Sequence, residues 1–368
     1  MLINFFKGVH MKKISKLLLL GASAILLTSP LSAKTIRWRM ALSWPSNLTP
    51  LSSPPMIVAK LVKKMSNGKF IIRVEGAEKT KAALGVLDMV KSGSYQIGHS
   101  GSYYWIGKDP NTVWFTTVPW GMTTSEQYAW FYYGNGMKYM KKVYDKFGVY
   151  NFPGGNTGVQ MGGWFRKEIK TVKDLKGLKM RIPGFAGKVM AKLGVNVTNI
   201  PGGELYTSLD RGTIDALEWV GPAMDIKMGF YKVAPYYYTG WHEPASEMQF
   251  LVNKKAFNKL PKKYQAMLTT AMKAAAADMY IENFAKSVTA WQKMKKEYPG
   301  IKVKTFPVPV LKAMKKATNE IMQNYADKNA LFKEIWTDYK SYMKKARTWT
   351  MMSEYYYLKA SQEVETGE

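Results

Sequence analysis

The sequence predicts an α/β protein of two lobes, and three observations carry that prediction. The chain has 368 residues, more than one ordinary globular core accommodates. Short strand-like runs alternate with helical periodicity along most of the chain, which implies mostly parallel sheets covered by helices. Apolar residues make up 46% and aromatic residues 14% of the chain, enough for packed interiors and too much for disorder.

The first 33 residues stand apart. Met11-Lys12-Lys13 opens a basic segment, and Leu17 to Leu27 is an apolar run too short to span a bilayer. Leu31-Ser32-Ala33 supplies a small-residue cleavage site, with Lys34 as the first mature residue. Residues 1–33 therefore read as an export signal, with Met11 a second candidate for the true start. No later stretch reaches the length of a membrane span, so the rest is expected to be soluble and outside the cytoplasm.

From there the elements follow in order. Ile36–Leu42 reads as a strand, Pro54–Met65 as a helix stopped at Asn67-Gly68, and Phe70–Glu75 as a strand. Ala82–Lys91 is helical up to Gly93, and Ile97–Ser100 is a strand opening onto Tyr103-Tyr104-Trp105. Helices near Ser125–Tyr133 and Met137–Phe147 precede a strand at Val149–Phe152. After the glycine-rich stretch Gly154–Gly158 a second alternating set begins. Its strands are Val159–Phe165, Lys179–Ile182, Val197–Ile200 and Ala216–Val220; its helices are Thr171–Leu178 (a short helix or turn), Phe185–Leu193, Glu204–Arg211 and Pro222–Phe230. Tyr236–Gly240 and Met248–Asn253 are strands with the option of running back between lobes. Pro261 to Tyr298 is helical for nearly forty residues, Ile301–Phe306 is a strand, and the remainder is helical. The expected division is residues 34–154 for the first lobe, 155–250 for the second, 251–338 for a lobe-spanning helix and a return to both lobes, and 339–368 for a C-terminal helix.

Charge and composition narrow the function. The chain carries 54 basic and 26 acidic residues, a formal +28, and removing residues 1–33 still leaves +24. Such a field attracts anions of every kind, but many lysines form a solvated coat on helices. No zinc-finger spacing and no aromatic RNA-binding motif accompanies them, so nucleic acid is not an expected partner. With no cysteine, thiol catalysis, thiolate metal sites and disulfides are excluded. Gly154–Gly158 lacks the Lys-Ser/Thr of a phosphate loop, Ser100, Ser102 and Ser246 have no nucleophile-elbow context, and the spacing of His99 and His242 does not suit a zinc pair.

Five segments carry a family resemblance. They are Leu175–Gly184 with Met180-Arg181-Ile182-Pro183-Gly184, Gly202–Ala216 with Asp210-Arg211-Gly212-Thr213-Ile214-Asp215, Glu218-Trp219-Val220-Gly221-Pro222, Gly240-Trp241-His242-Glu243-Pro244, and Asn253–Leu260 followed by Pro261. Together they resemble the solute receptors of tripartite ATP-independent periplasmic (TRAP) transporters, over about Ile36 to Tyr298. The Glu-Trp-Val-Gly-Pro and Gly-Trp-His-Glu-Pro pair resembles the branch that binds 2-oxo monocarboxylates such as pyruvate. The resemblance implies two hinged lobes of the type II-like periplasmic binding fold, a helix crossing both, a small organic anion closed between them, and a TRAP membrane permease that receives it. It also implies, for some members, a homodimer through an exchanged C-terminal helix. Residues Tyr339–Gln362, with Met343, Trp349, Met351, Met352 and Tyr355–Leu358, are the candidates for that part, against the alternative of packing on their own lobe.

The resemblance assigns the site as well. Arg181, at a strand end before Pro183-Gly184, would bind the ligand carboxylate, for which a guanidinium offers a planar fork of donors. A metal ion would sit beside the ligand, held by the Gln160 side-chain oxygen, the Trp219 backbone carbonyl and the carboxylates of Glu218 and Glu243, an oxygen set suited to hard cations. Two carboxylates and an anionic ligand against one arginine leave a single negative charge with a monovalent ion and none with a divalent one. Sodium is what the nearest branch suggests, and calcium stays open. Asn156 and Tyr103 or Tyr104 are further candidate donors to the ligand, and Trp44, Trp164 and Trp241 candidates for an apolar wall. A lactate or other carboxylate receptor with calcium is the alternative within the class. Outside it stands a metal-dependent hydrolase or lyase using Glu218 and Glu243 as acid and base.

Overall fold

In the computed structural model, residues 34–367 are described, so the export segment 1–33 lies outside them. Two sheets organise these residues. The first runs in the order β2-β1-β3-β10-β4, from β1 (Ile36–Leu42), β2 (Phe70–Glu75), β3 (Ile97–Ser100), β4 (Val149–Asn156) and β10 (Glu247–Asn253). The second runs β11-β9-β5-β8-β6-β7, from β5 (Gly163–Phe165), β6 (Lys179–Arg181), β7 (Asn196–Thr198), β8 (Ala216–Leu217), β9 (Tyr236–Tyr238) and β11 (Lys302–Lys304).

Pairing within each set is parallel, as the alternating pattern predicts: β1 with β2 and β3, β6 with β7 and β8. Two strands break it. β10 lies antiparallel between β3 and β4, and β5 antiparallel between β8 and β9. Each arrives from the other sheet, and a strand entering from across the cleft starts at the edge where its neighbours end. The chain therefore crosses twice in extended segments, through residues 157–162 and 239–246, and a third time along the helix Lys262–Glu297 that leads from β10 to β11. Residues 247–250, expected in the second lobe, pair in the first sheet, and residues 155 and 156 also remain in the first sheet as the end of β4. Alternation of strands and helices does not show which sheet a strand joins.

The two extended crossings run side by side. The N–H of Thr157 donates to Ser246 O (3.0 Å), that of Gln160 to Glu243 O (2.9 Å), and that of Gly162 to Tyr238 O (2.7 Å). The neighbouring Met161 N–H donates to Val220 O (2.9 Å). Close approach demands glycine here: a Cβ on Gly240 would lie 1.9 Å from Gln160 O. At Gly155, where φ is +125°, a Cβ would lie 2.4 Å from Met279 Sδ.

Met279 belongs to the helix Lys262–Glu297, whose 36 residues reach about 54 Å at the α-helical rise. It packs on the helix Ser53–Met65 and β4 of the first lobe and on the helix Pro222–Met228 of the second, and Asn283 Nδ2 donates to Thr157 O (2.6 Å) in the first crossing. Two further helices, Val308–Lys328 and Ala330–Thr350, return the chain over both lobes. The last anchor is Arg347, which grips the buried carboxylate of Glu126 through Nε (2.7 Å) and one terminal nitrogen (2.9 Å), with the Thr350 hydroxyl on the same carboxylate (2.7 Å). Beyond it one π turn, Met351–Tyr355, and the helix Tyr356–Thr366 bury no residue. No helix among the described residues is long and apolar enough to cross a membrane.

Candidate functional site

Arg181 ends β6 and is 1% exposed. Its Nε donates to Ile200 O (3.1 Å) and its Nη1 to Glu218 O (2.6 Å), with Glu218 Oε2 at 3.3 Å. The guanidinium also lies over the Trp219 ring, 5.4 Å from its centre. Its Nη2, equally buried, has no hydrogen-bond partner. So the expected two-to-two fork is half engaged by the protein, and the outer nitrogen is the one left to meet an anion.

Glu218 leaves β8 directly. A short strand suffices because the Glu218 N–H donates back to Arg181 O (3.1 Å), continuing the β6–β8 ladder by one bond. Glu243 comes from the second crossing, where its carbonyl accepts from the Gln160 N–H. Oxygens of Glu218 and Glu243 and a ring nitrogen of His242 lie within 4.8 Å of one another, all buried. Burial pushes the Glu218 carboxyl up to about 8 even with Arg181 beside it. Burial, and then the charge of Glu218, pushes Glu243 up to about 7. Burial lowers His242 to about 4. A neutral imidazole 3.6 Å from Glu218 Oε1 makes neither an ion pair nor a good hydrogen bond.

The unpartnered atoms cluster. Arg181 Nη2, Glu218 Oε1, Glu243 Oε2, Gln160 Oε1 and both His242 nitrogens are buried without hydrogen-bond partners. Native proteins leave few buried polar groups unsatisfied, and a bound ion or ligand is one way such a cluster is satisfied. The oxygen donors suit a hard cation, which fits the expected group. His242 is the member that sequence reasoning set aside. Its spacing from His99 says nothing about Glu218, which only the fold brings near; the neighbouring Glu243 was the signal.

The tyrosines approach from the first lobe. Tyr103 and Tyr104 lie on the turn Ser102–Trp105, their rings 4.7 Å apart and edge to face. Tyr103 packs on Gly184 of the second lobe, whose φ of +63° turns the chain there and where a Cβ would lie 3.2 Å from the Tyr103 Cβ. Burial raises both phenols, and the charges of Arg181, Glu218 and Glu243 all reach them. Asn156 differs from expectation. Its Nδ2 donates to Gln127 Oε1 (2.9 Å) and Glu247 Oε2 (3.1 Å), and its Oδ1 accepts from Thr124 Oγ1, Gly158 N and Ser246 N. No amide hydrogen is left for a ligand, and the side chain ties the crossings instead. All three tryptophans are core residues: Trp44 stands edge-on to His99, Trp164 stacks on Tyr237 at 4.0 Å, and Trp241 is buried as well. Trp241 also lines a crevice of about 210 Å³ with Trp120, Val159, Pro244, Glu243 and Arg347.

Comparison with known proteins decides the family. The profile of the bacterial extracellular solute-binding proteins, family 7, matches residues 46–329. The chain belongs to that family. It is a TRAP solute receptor and not an enzyme, which overturns the hydrolase or lyase alternative; its ligand is a small organic anion and its partner a TRAP permease. The receptor is 45% identical to a monocarboxylate 2-oxoacid-binding periplasmic protein of Nostoc sp., over 88% of each chain. A TRAP periplasmic solute-binding protein of Pseudoalteromonas atlantica, solved with sodium and pyruvate, is 56% identical with a TM-score of 0.88, covering 89% of this chain and 99% of that one. One from Colwellia psychrerythraea, solved with calcium and pyruvate, is also 56% identical with a TM-score of 0.88, covering 89% and 100%. A third, from Bordetella bronchiseptica, solved as a dimer of mixed occupancy with calcium and picolinate, is 36% identical with a TM-score of 0.87, covering 91% and 100%.

Proposed function

We propose that this receptor binds a 2-oxo monocarboxylate of the size of pyruvate together with a sodium or calcium ion. The observation that carries the reading is the unpartnered Arg181 Nη2 together with two buried glutamates, each with an unpartnered oxygen, whose carboxyls burial pushes up toward neutral pH. In this reading Arg181 Nη2 donates to the ligand carboxylate, with Tyr103 or Tyr104 donating from the first lobe. Gln160 Oε1, the Trp219 carbonyl and the carboxylates of Glu218 and Glu243 hold the ion. The ion supplies positive charge that lets both glutamates ionise and draws in the ligand's oxygens. Neutral His242 fills the space beside them without adding charge.

The crossings 157–162 and 239–246 act as the hinge, and Tyr103 seating on Gly184 closes the cleft. We further propose that residues 1–33 are a cleaved export signal, and that two copies pair through the C-terminal helix. Pairing is supported by the exposure of Met352 (69%), Tyr357 (72%) and Leu358 (64%) on one terminal arm. The ligand reading is tested by dialysing the protein into sodium-free buffer with a tetramethylammonium-salt chelator and titrating pyruvate, lactate and succinate in that chelator, in sodium or in calcium. Pyruvate is expected to bind, and to bind at least tenfold tighter with an ion; equal affinity in chelator, or preference for succinate, would sink it.

A further inference from the structure

One buried carboxylate near the site touches no candidate ligand group. Asp225, 1% exposed, lies in the helix Pro222–Met228. Its Oδ1 accepts from the N–H groups of Val220 (3.2 Å) and Gly221 (2.9 Å). Its Oδ2 accepts from Trp164 Nε1 (2.9 Å) and the Tyr237 hydroxyl (2.9 Å). Trp164 and Tyr237 are register partners on β5 and β9. The carboxylate thus bolts the segment after β8 to the middle of the second sheet.

That segment is Glu218-Trp219-Val220-Gly221. Its Glu218 carbonyl accepts from Arg181 Nη1 and its Val220 carbonyl from Met161 N–H. With both neighbours fixed and Asp225 holding the two N–H groups that follow, the orientation of the Trp219 peptide is determined. An asparagine could serve the backbone donors equally well. The carboxylate adds the second acceptor oxygen that Trp164 and Tyr237 use, and a charge, and no cationic side chain pairs with it among the described residues. Burial raises its carboxyl to about 6, so it is ionised at pH 7.5, and its charge reaches Glu218.

We propose that Asp225 is a positioning residue of the cation site, fixing the Glu218–Gly221 segment and, through its charge, favouring a divalent over a monovalent ion. The inference rests on the reading of Glu218, Trp219 and Glu243 as ion ligands. A fixed negative charge stabilises a doubly charged ion twice as much as a singly charged one, so its removal changes the ratio of the two affinities. Burial of a lone charge is costly, and a nearby cation offsets that cost.

The test measures pyruvate affinity of ion-stripped protein in sodium alone and in calcium alone at pH 7.5, by tryptophan fluorescence or calorimetry. Asp225→Asn is expected to lower the calcium-to-sodium affinity ratio by about tenfold. Trp164→Phe and Tyr237→Phe each remove one of the hydrogen bonds that hold the carboxyl down, so these two variants are read at pH 9, where the carboxylate stays ionised; each is expected to weaken binding severalfold in both ions and leave the ratio unchanged. An unchanged ratio in Asp225→Asn overturns the charge role, and wild-type affinities in both other variants overturn the positioning role, which they decide even if Asp225→Asn does not fold. Wild-type pyruvate affinity indifferent to any ion would instead remove the cation reading on which the proposal stands.

Discussion

At the scale of single residues, the site depends on charges that burial would not tolerate alone. Arg181 gives three hydrogen bonds to the protein and keeps one nitrogen free. A lysine there is a point charge without the fork. Arg181→Lys is expected to lose at least a hundredfold in pyruvate affinity, about 3 kcal/mol, and to abolish the ligand-induced rise in Tm while still folding, because Glu218 can hold a proton. A wild-type thermal shift would contradict the role. The glutamates also make pH a probe. In ion-free protein their carboxyls lie near 8 and 7, above the ordinary 4.5. The folded form keeps protons that the unfolded chain has released, so this contribution to stability is full below 4.5 and is lost as pH rises through 7 and 8. In chelator, Tm is expected to fall between pH 5 and 9, and calcium to flatten the fall; a Tm that climbs over that range in chelator would refute it. Arg181, Glu218 and Glu243 were legible because each sits in a short motif. The saturation of Asn156, the nearness of His242 and the clamp at Asp225 were not, because each depends on partners far along the chain.

Among elements, periodicity located most strands and helices, and β1, β2 and β3 fall where the alternation predicts. Misjudged lengths concentrate at the cleft. Val159–Phe165 reads as one strand, yet only Gly163–Phe165 pairs, because residues 157–162 are spent on crossing. Ala216–Val220 shrinks to two residues because Glu218 onward turns into the site. Conversely β4 runs on to Asn156 through two glycines that read as a loop, since Glu247 Oε1 accepts from both their N–H groups. Functional segments depart from regular pairing in order to present side chains, and pattern alone does not see that. Gly202 tests how tightly such a segment is held. A Cβ there would lie 2.2 Å from Trp219 Cη2, at the far side of the indole from its backbone. Gly202→Ala is expected to cost about 1–3 kcal/mol in stability through overpacking, and to weaken pyruvate binding about tenfold by tilting Trp219. Lost stability with wild-type affinity would show that the indole moves independently of the site.

For the whole molecule, the strongest unspent feature is the arm after Thr350. Arg347 and Thr350 both close on Glu126, the third residue of the helix Thr124–Tyr133 and the partner of Thr123 in the capping box that begins it. The fold is therefore complete at Thr350, and the arm beyond it contributes no buried residue to its own lobe. Of the segment Tyr339–Gln362 left open in the sequence, Tyr339–Thr350 packs on its own lobe, with Tyr339 buried and Met343 against the core, whereas residues 351 onward do not, which leaves a run of aromatic and aliphatic side chains without a covering surface. Exposed apolar area of that extent is characteristic of association. Deleting residues 351–368 is accordingly expected to convert a dimer to a monomer in light scattering, with pyruvate affinity within twofold of wild type and Tm, measured at monomer concentration, within a few degrees. The cut must follow Thr350, since removing Arg347 would strand Glu126 as a buried unpaired charge and unfold the helix it caps. A truncated protein that remains dimeric would place the interface elsewhere, and one that loses pyruvate binding would mean that the arm supports the cleft rather than a second copy.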